Sequence, residues 1–267
     1  MEKTSTAHKA STHSSPSRMY PKLVIKNNEN PNALYAFPFA GFLIKMVMLI
    51  PAFVFLFLIW FVFAFLWLLT PFVIIFTGKY WESAEVFTKD YMIYKTKITL
   101  FLIGLTDKYP GFNLETDGIF ELHLEKPAEP NLWLTFPLLG FAIRTLLLIP
   151  YNIYKSVLSF GMWAAVFASW FAVLFTGKYP ESLYEFERDT IRVSLAYTLY
   201  IAYFSNTYPS FWISMKHKTT KVILLILGAL LFLIANRYDN HHQPRRMHPM
   251  PMNNPPSLSP QRSQQGS

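Results

Sequence analysis

From Gly41 to Phe76 the chain carries one charge, Lys45, in an otherwise apolar block interrupted only by Pro51, Thr70 and Pro71. A run of ~18 or more apolar residues reads as a membrane segment. A buried helix in a large soluble protein would be shorter and less aromatic. Across the whole chain 52% of residues are hydrophobic and 18% aromatic, while 15% are charged, against the ~25% of soluble domains. The apolar residues are gathered in blocks rather than dispersed as a soluble core requires.

The second constraint is an internal repeat at a fixed offset of 99 residues. Phe37-Pro38 matches Phe136-Pro137, Gly41-Phe42 matches Gly140-Phe141, and Leu49-Ile50-Pro51 matches Leu148-Ile149-Pro150. Further on, Phe76-Thr77-Gly78-Lys79-Tyr80 matches Phe175-Thr176-Gly177-Lys178-Tyr179, Asp90 matches Asp189, and Tyr109-Pro110 matches Tyr208-Pro209, all without a gap. Composition bias repeats Phe and Leu; it does not repeat Pro, Gly, Lys and Asp in one register. The chain is a tandem duplication.

Each unit has the same plan. Lys22 to Lys26 lies opposite Glu121 to Glu125, and the second copy alternates polar and apolar residues as a strand does. A short strand outside the membrane is therefore expected at the head of each unit, with Pro31-Asn32 and Pro130-Asn131 turning into the apolar part. Pro38 and Pro137 suit the first turn of a helix. The stretch Phe39 to Ile50 is too short to cross a bilayer and carries Lys45, matched by Arg144, which reads as a cation snorkelling to lipid head groups. Pro51 and Pro150 then start or kink the main span, and 51–76 gives a helix of ~39 Å, which calls for tilt or interfacial ends. Gly78 and Gly177 fit the helix C′ position, and Tyr80, Trp81 and Tyr179 fit head-group depth.

A second helix is expected at about Glu82 to Leu105 and Glu181 to Phe204, polar in its first half and apolar in its second. Glu85 with Lys89, Glu185 with Arg188, and Asp189 with Arg192 have spacings that allow pairing along one face. This is the weaker span, with a shallow or re-entrant path as the alternative. After the second unit, Val222 to Ala235 reads as one more span flanked by Lys221 and Arg237. The expected organisation is a disordered basic tail (1–20), repeat 1 (21–119), repeat 2 (120–218), a C-terminal transmembrane helix (219–237) and a disordered Pro-rich tail (238–267). That makes an all-α integral membrane protein of two tandem two-span units, each preceded by a short extramembrane strand, with five spans in all. Both copies should then cross in the same sense, about a pseudo-two-fold axis along the membrane normal. The first 32 residues contain no apolar signal-peptide segment, so the first span is expected to direct insertion.

The order Leu-Ile-Pro, aromatic-rich span, Phe-Thr-Gly-Lys-Tyr-Pro, amphipathic helix and Tyr-Pro-x-Phe resembles the uncharacterised bacterial membrane family known as domain of unknown function 4389. The resemblance rests on Leu148-Ile149-Pro150, Phe175 to Pro180 and Tyr208-Pro209-Ser210-Phe211, and on the same pattern in copy one with Trp81 in place of the proline. It implies a bacterial, integral membrane setting, in the inner (cytoplasmic) membrane, and supplies no activity.

The sequence contains no cysteine, which excludes disulfides, thiolate metal sites and cysteine nucleophiles. It has no Gly-x-Ser-x-Gly elbow, no His-Glu-x-x-His pair and no P-loop. His241, His242 and His248 lie in a tail without fixed geometry, so no metal or cofactor is expected. The net charge of +8 is spread over tails and span ends, which suits anionic lipid head groups rather than nucleic acid. The Thr-Gly-Lys-Tyr loops offer Lys79 and Lys178 either as parts of a helix cap or as grips on a lipid phosphate. Asp90, Asp189 and Arg192 read as helix-face ion pairs; as a functional alternative they would line a polar path between the repeats. The expected function is a non-enzymatic scaffold or accessory subunit with a membrane-protein partner or a second copy of itself. The alternative is a transporter or channel for a small solute or lipid.

Overall fold

The computed structural model describes residues 20–26, 28, 31–124 and 129–241; the two tails read as disordered lie outside these residues apart from their inner ends. The protein is mostly helical. Repeat 1 runs β1 (Lys22–Ile25), α1 (Ala33–Ala36), α2 (Ala40–Met48), α3 (Ile50–Thr77) and α4 (Glu82–Ile103). Repeat 2 runs β2 (Phe120–His123), α5 (Leu132–Thr135), α6 (Leu139–Thr176) and α7 (Glu181–Ile201), and α8 (Lys218–His241) closes the described chain.

The local signals account for the ends of these elements. Asn32 and Asn131 cap the one-turn helices α1 and α5, their side chains accepting from the N–H groups of Leu34 and of Trp133 and Leu134, as Asn does where the first N–H groups of a helix lack partners. Pro38 and Pro137 sit in the turn before the next helix rather than in its first turn. In repeat 1 the chain breaks at Leu49, so that Pro51 opens α3; in repeat 2 the helix runs straight through Pro150. Gly78 and Gly177 end α3 and α6 at φ 67° and 69°, the left-handed conformation that glycine adopts without penalty. The last helix continues past Arg237 to His241.

Among the described residues three helices are long and apolar enough to cross a membrane: Ile50–Thr77, Leu139–Thr176 and, in α8, Lys218–Tyr238. The sequence led to five. Neither α4 nor α7 meets that standard, because each carries more charge than a span tolerates and is packed inside the protein: Tyr91 to Tyr94 on α4 and Glu185 to Glu187 on α7 are all buried.

The expected strands pair with each other. β1 and β2 are antiparallel, with Leu23 opposite Leu122. These two residues are equivalents in the 99-residue repeat, so a pseudo-two-fold axis passes between them. Leu23, Ile25, Phe120 and Leu122 face inward, while Lys22, Val24, Glu121 and His123 face out.

The same axis makes the long helices of the two units antiparallel. Phe39 and Phe42, at the head of α2, meet Trp163, Phe167 and Trp170 toward the end of α6. Reciprocally, Trp67 near the end of α3 stacks edge-on against Phe141 near the start of α6 and donates its indole N–H to the Ile201 carbonyl. The expectation that both copies run in the same sense is corrected here. The reason is in these contacts, which set the head of each unit against the far end of the other's long helix, in keeping with the antiparallel strand pair.

The result is three layers. The inner face of the sheet shares a core with Tyr91, Tyr94, Ile98, Ile191 and Leu195 of α4 and α7, and Tyr184 on α7 donates to the Ile25 carbonyl at 2.5 Å. α4 packs in turn on α3, and α7 on α6. The far faces of α3 and α6 are exposed and apolar, with Phe57, Phe61, Phe65, Leu68 and Phe76 on one and Leu146, Ile153, Phe167, Phe171 and Phe175 on the other. α8 runs antiparallel along α6. It crosses where Gly228 meets Gly161, so closely that a Cβ on Gly228 would overlap the Val157 carbonyl oxygen. Small residues at a crossing permit this approach of two backbones.

Candidate functional site

The two matched cations, Lys45 and Arg144, are read from the sequence as snorkelling side chains. The structure instead encloses both in protein, at 2% and 0% exposure. Arg144 is fully engaged: Nε donates to the Leu134 carbonyl at 2.9 Å, Nη1 to the carbonyls of Tyr200 and Ser205 at 2.5 and 2.9 Å, and Nη2 to Asn206 Oδ1 at 3.0 Å. Its guanidinium also lies over the rings of Tyr200 and Tyr203. The arginine thus ties the start of α6 to α5, to the end of α7 and to the loop beyond it. Lys45 occupies the equivalent place with weaker chemistry. Its ammonium lies 5.5 and 5.6 Å from the ring centres of Tyr35 and Phe101. Burial lowers its pKa to about 8, opposed by the charge of Asp107, the residue equivalent to Asn206. A cation in a helix that packs inward cannot reach head groups; the sequence showed its place along the chain but not which way it faced.

The Thr-Gly-Lys-Tyr loops are near-identical helix caps. Thr77 and Thr176 donate back to Val73 and Ala172, and accept from the N–H of Lys79 and Lys178 at 3.3 Å in both copies. Lys79 and Lys178 point outward and are exposed, at opposite ends of the molecule because the units are antiparallel. The tyrosines reach across the pseudo-two-fold. Tyr80 lies beside Arg144 and Asn206, and Tyr179 shares a small cleft with Lys45, Asp107 and Ser169.

Behind Tyr179 lies a residue the sequence reading did not single out. Glu187 is wholly buried and accepts from the Tyr179 hydroxyl at 2.5 Å, while its Oε1 has no hydrogen-bond partner. Burial pushes its carboxyl up to about 8. Its repeat equivalent is Thr88, so a search for matched polar residues passes over it.

Asp189 and Arg192 belong to the face of α7 that holds down the chain leading to α8. Asp189 Oδ1 lies 3.0 Å from Arg188 and 3.9 Å from Arg192, and Oδ2 accepts from the Ser214 N–H at 2.5 Å. Arg192 Nη2 donates to the Trp212 carbonyl, and Glu185 accepts from the Lys216 N–H at 3.0 Å. Asp90 is half-buried on α4, with Lys89 as its charged neighbour. The structure does not join Asp90 to Asp189 or Arg192 in a contact or in a shared cavity lining among the described residues.

A cavity of about 200 Å³ lies instead where α4, α6 and α7 meet. Lys95, Thr96 and Thr99 line it from α4, Ser159 and Met162 from α6, and Thr190, Ile191, Ser194 and Leu195 from α7. Lys95 and Ser194 are repeat equivalents, so the cavity straddles the pseudo-two-fold. Among the described residues no group of three His, Asp or Glu side chains is placed to hold a metal ion.

Fold and surface together define a class: a duplicated helical protein with an apolar outer layer suited to a lipid bilayer and a polar interior at the seam between its halves. The chain belongs to the domain of unknown function family DUF4389, which it matches twice, over residues 40–113 and 139–213, together more than half its length. The two matches fall one in each of the units described above, leaving out their strands and the short helices α1 and α5. No curated protein and no solved structure matches the chain.

Proposed function

We propose that the protein is a non-enzymatic scaffold or accessory subunit that lies within one face of a bacterial cytoplasmic membrane, with its pseudo-two-fold axis along the membrane normal. The bacterial setting comes from the resemblance to a bacterial family. The carrying observation is the antiparallel packing of the two units about the β1–β2 pair. Were α3 and α6 to stand across the bilayer, the sheet on the axis would lie beside their mid-length. Lys22, Glu121 and His123 on its outer face would then sit in hydrocarbon, where exposed charge is costly. With the axis along the normal, the sheet meets water and the apolar faces of α3, α6 and α8 meet lipid. The candidate polar residues support a structural role, since Arg144, Asp189 and Arg192 are engaged in bonds within the chain. Lys79 and Lys178, exposed at the two ends, are positioned to meet anionic head groups.

The test uses the absence of native cysteine. Single variants Lys79→Cys, Lys178→Cys and Glu121→Cys are treated with an impermeant thiol reagent on intact cells and on inverted vesicles. All three should label from the same side. Labelling of Lys79→Cys and Lys178→Cys from opposite sides would mean that α3 and α6 cross the bilayer in opposite directions, and the proposal would fail.

A further inference from the structure

The cavity on the pseudo-two-fold is lined by hydrogen-bond donors that have nothing to bond. Thr96 is 1% exposed, and its hydroxyl has no partner in the protein. A buried hydroxyl without a partner costs on the order of 1–3 kcal/mol, so the position calls for an acceptor. Lys95 lines the same cavity with no carboxylate beside it; the charge that acts on it is another cation, Lys155, one turn before Ser159 on α6. Lys155 in turn rests over the ring of Tyr197 at 4.2 Å. The remaining hydroxyls divide by role. Those of Thr99, Ser159 and Thr190 already donate to carbonyls of their own helices, so toward the cavity they offer lone pairs. Ser194, opposite Lys95, makes no such bond. The cavity therefore has three unclaimed donors from two helices and one cation, Lys95, in a lining without a carboxylate, while a second cation, Lys155, acts from outside it. Its volume of about 200 Å³ is enough for a phosphoryl group with some of its hydration.

We infer that this cavity is a binding site for a phosphate-type anion, held by Lys95, Thr96 and Ser194, with Lys155 adding long-range charge. The site sits between the polar middle layer and the apolar helix α6, so the anion is supplied either by a lipid head group or as free phosphate. Phosphate is favoured over a carboxylate because it offers more acceptor oxygens to converging donors. It can also donate, when singly protonated, to the lone pairs of Thr99, Ser159 or Thr190. The inference goes beyond the scaffold reading and does not depend on how the protein lies in the membrane.

The experiment measures thermal unfolding of the full chain in dodecyl maltoside with three additions: sodium phosphate at constant ionic strength, a short-chain phosphatidylglycerol, and a short-chain diacylglycerol lacking phosphate. Phosphatidylglycerol should raise the midpoint in a saturable way and diacylglycerol should not. A matching rise with sodium phosphate identifies free phosphate as a ligand; a rise with the lipid alone identifies the head group. Lys95→Met should weaken binding at least about tenfold, as loss of a charge-assisted hydrogen bond does. Thr96→Val, which keeps shape and removes a donor, should weaken it several-fold. Lys22→Met, altered at an exposed lysine on the outer face of the sheet, should bind as wild type does. No stabilisation by either phosphate compound overturns the inference. So does binding that survives Lys95→Met and Thr96→Val, or binding lost with Lys22→Met. If Lys95→Met fails to fold, Thr96→Val together with Ser194→Ala decides the matter alone.

Discussion

Arg144 and Lys45 occupy the same place in the two units, yet the structure predicts opposite results when each is replaced by methionine. Arg144→Met removes four hydrogen bonds and leaves four acceptors behind. The Leu134 and Asn206 bonds lie in partly buried surroundings where water can substitute, but those to Tyr200 and Ser205 are buried. The Ser205 carbonyl is left without a partner, and the Tyr200 carbonyl keeps a long bond of 3.4 Å from the Tyr203 N–H; an unsatisfied buried group at ~1–3 kcal/mol, with the general cost of breaking a buried charged network, puts the loss at about 3–5 kcal/mol. Lys45 makes no side-chain hydrogen bond among the described residues, and burial holds its pKa at about 8. Its folded value lies below its unfolded one, so the cost of burying the charge is fully present below pH ~8. That cost is relieved as pH rises toward the ordinary lysine value. At pH 7 it amounts to as much as about 3 kcal/mol, offset by ~1–2 kcal/mol of cation–π attraction to Tyr35 and Phe101. Lys45→Met should therefore be neutral, or stabilising by up to about 2 kcal/mol. Thermal unfolding in detergent at pH 7 should show Arg144→Met falling by on the order of 10 °C and Lys45→Met level with wild type or above it. Arg144→Lys should not recover the loss, because an ammonium cannot fork to acceptors on three sides. Equal destabilisation by the two methionine variants would refute the assignment of one cation as bonded and the other as merely enclosed.

Two further predictions concern the second half of the chain. The raised pKa of Glu187 means that the folded protein holds a proton the unfolded chain has released, so stability should fall as pH rises from about 5 to 8; Glu187→Gln should flatten the unfolding midpoint over that window, and an unchanged slope would exclude Glu187 as its source. Gly228→Ala would push a methyl into the Val157 carbonyl and the backbone of Gly161. It should cost about 1–3 kcal/mol and loosen α8, seen as faster proteolysis near Lys216 to Lys221, whereas exposed Leu233→Ala on the same helix should leave cleavage unchanged.

What the sequence displayed were features local to the chain. The two strands, the turns at Asn32 and Asn131 and the glycine C-caps each depend on residues within a few positions of one another, and each is found where expected; the duplication shows in the same local motifs recurring at one offset. The sequence did not display the relation between the units, because it lies in one cross-strand pair, Leu23 with Leu122, and nothing in either tetrapeptide states its partner. The span count failed for a related reason. An apolar second half made α4 and α7 resemble weak spans, whereas their polar halves are accommodated by packing between the sheet and α3 or α6. Of the candidate polar residues, Asp189 and Arg192 are bonded to the backbone of Ser214 and Trp212 respectively, 25 and 20 positions away, which helix spacing alone does not reveal. The cavity was hidden more deeply. Lys95 is matched by Ser194 and Thr96 by Leu195, so no shared motif marks either wall.

That mismatch bears on what duplication did for this fold. Residues matched between the units, such as the Thr-Gly-Lys-Tyr caps, the Asn caps and the paired leucines, set the backbone and the two-fold joint. Residues that differ supply the polar interior: Arg144 against Lys45, Asn206 against Asp107, Glu187 against Thr88, Ser194 against Lys95. A symmetric seam would present two lysines at the axis, and two buried like charges repel across a short gap. Keeping Lys95 in one unit and a serine in the other removes that repulsion and leaves one cation with a facing hydroxyl, which is the asymmetry a single phosphate can use. Restoring symmetry tests the point: Ser194→Lys should destabilise the protein in detergent, and the phosphate anion that binds wild type should reverse most of that loss. Destabilisation that phosphate leaves untouched would separate the packing of the seam from any ligand within it.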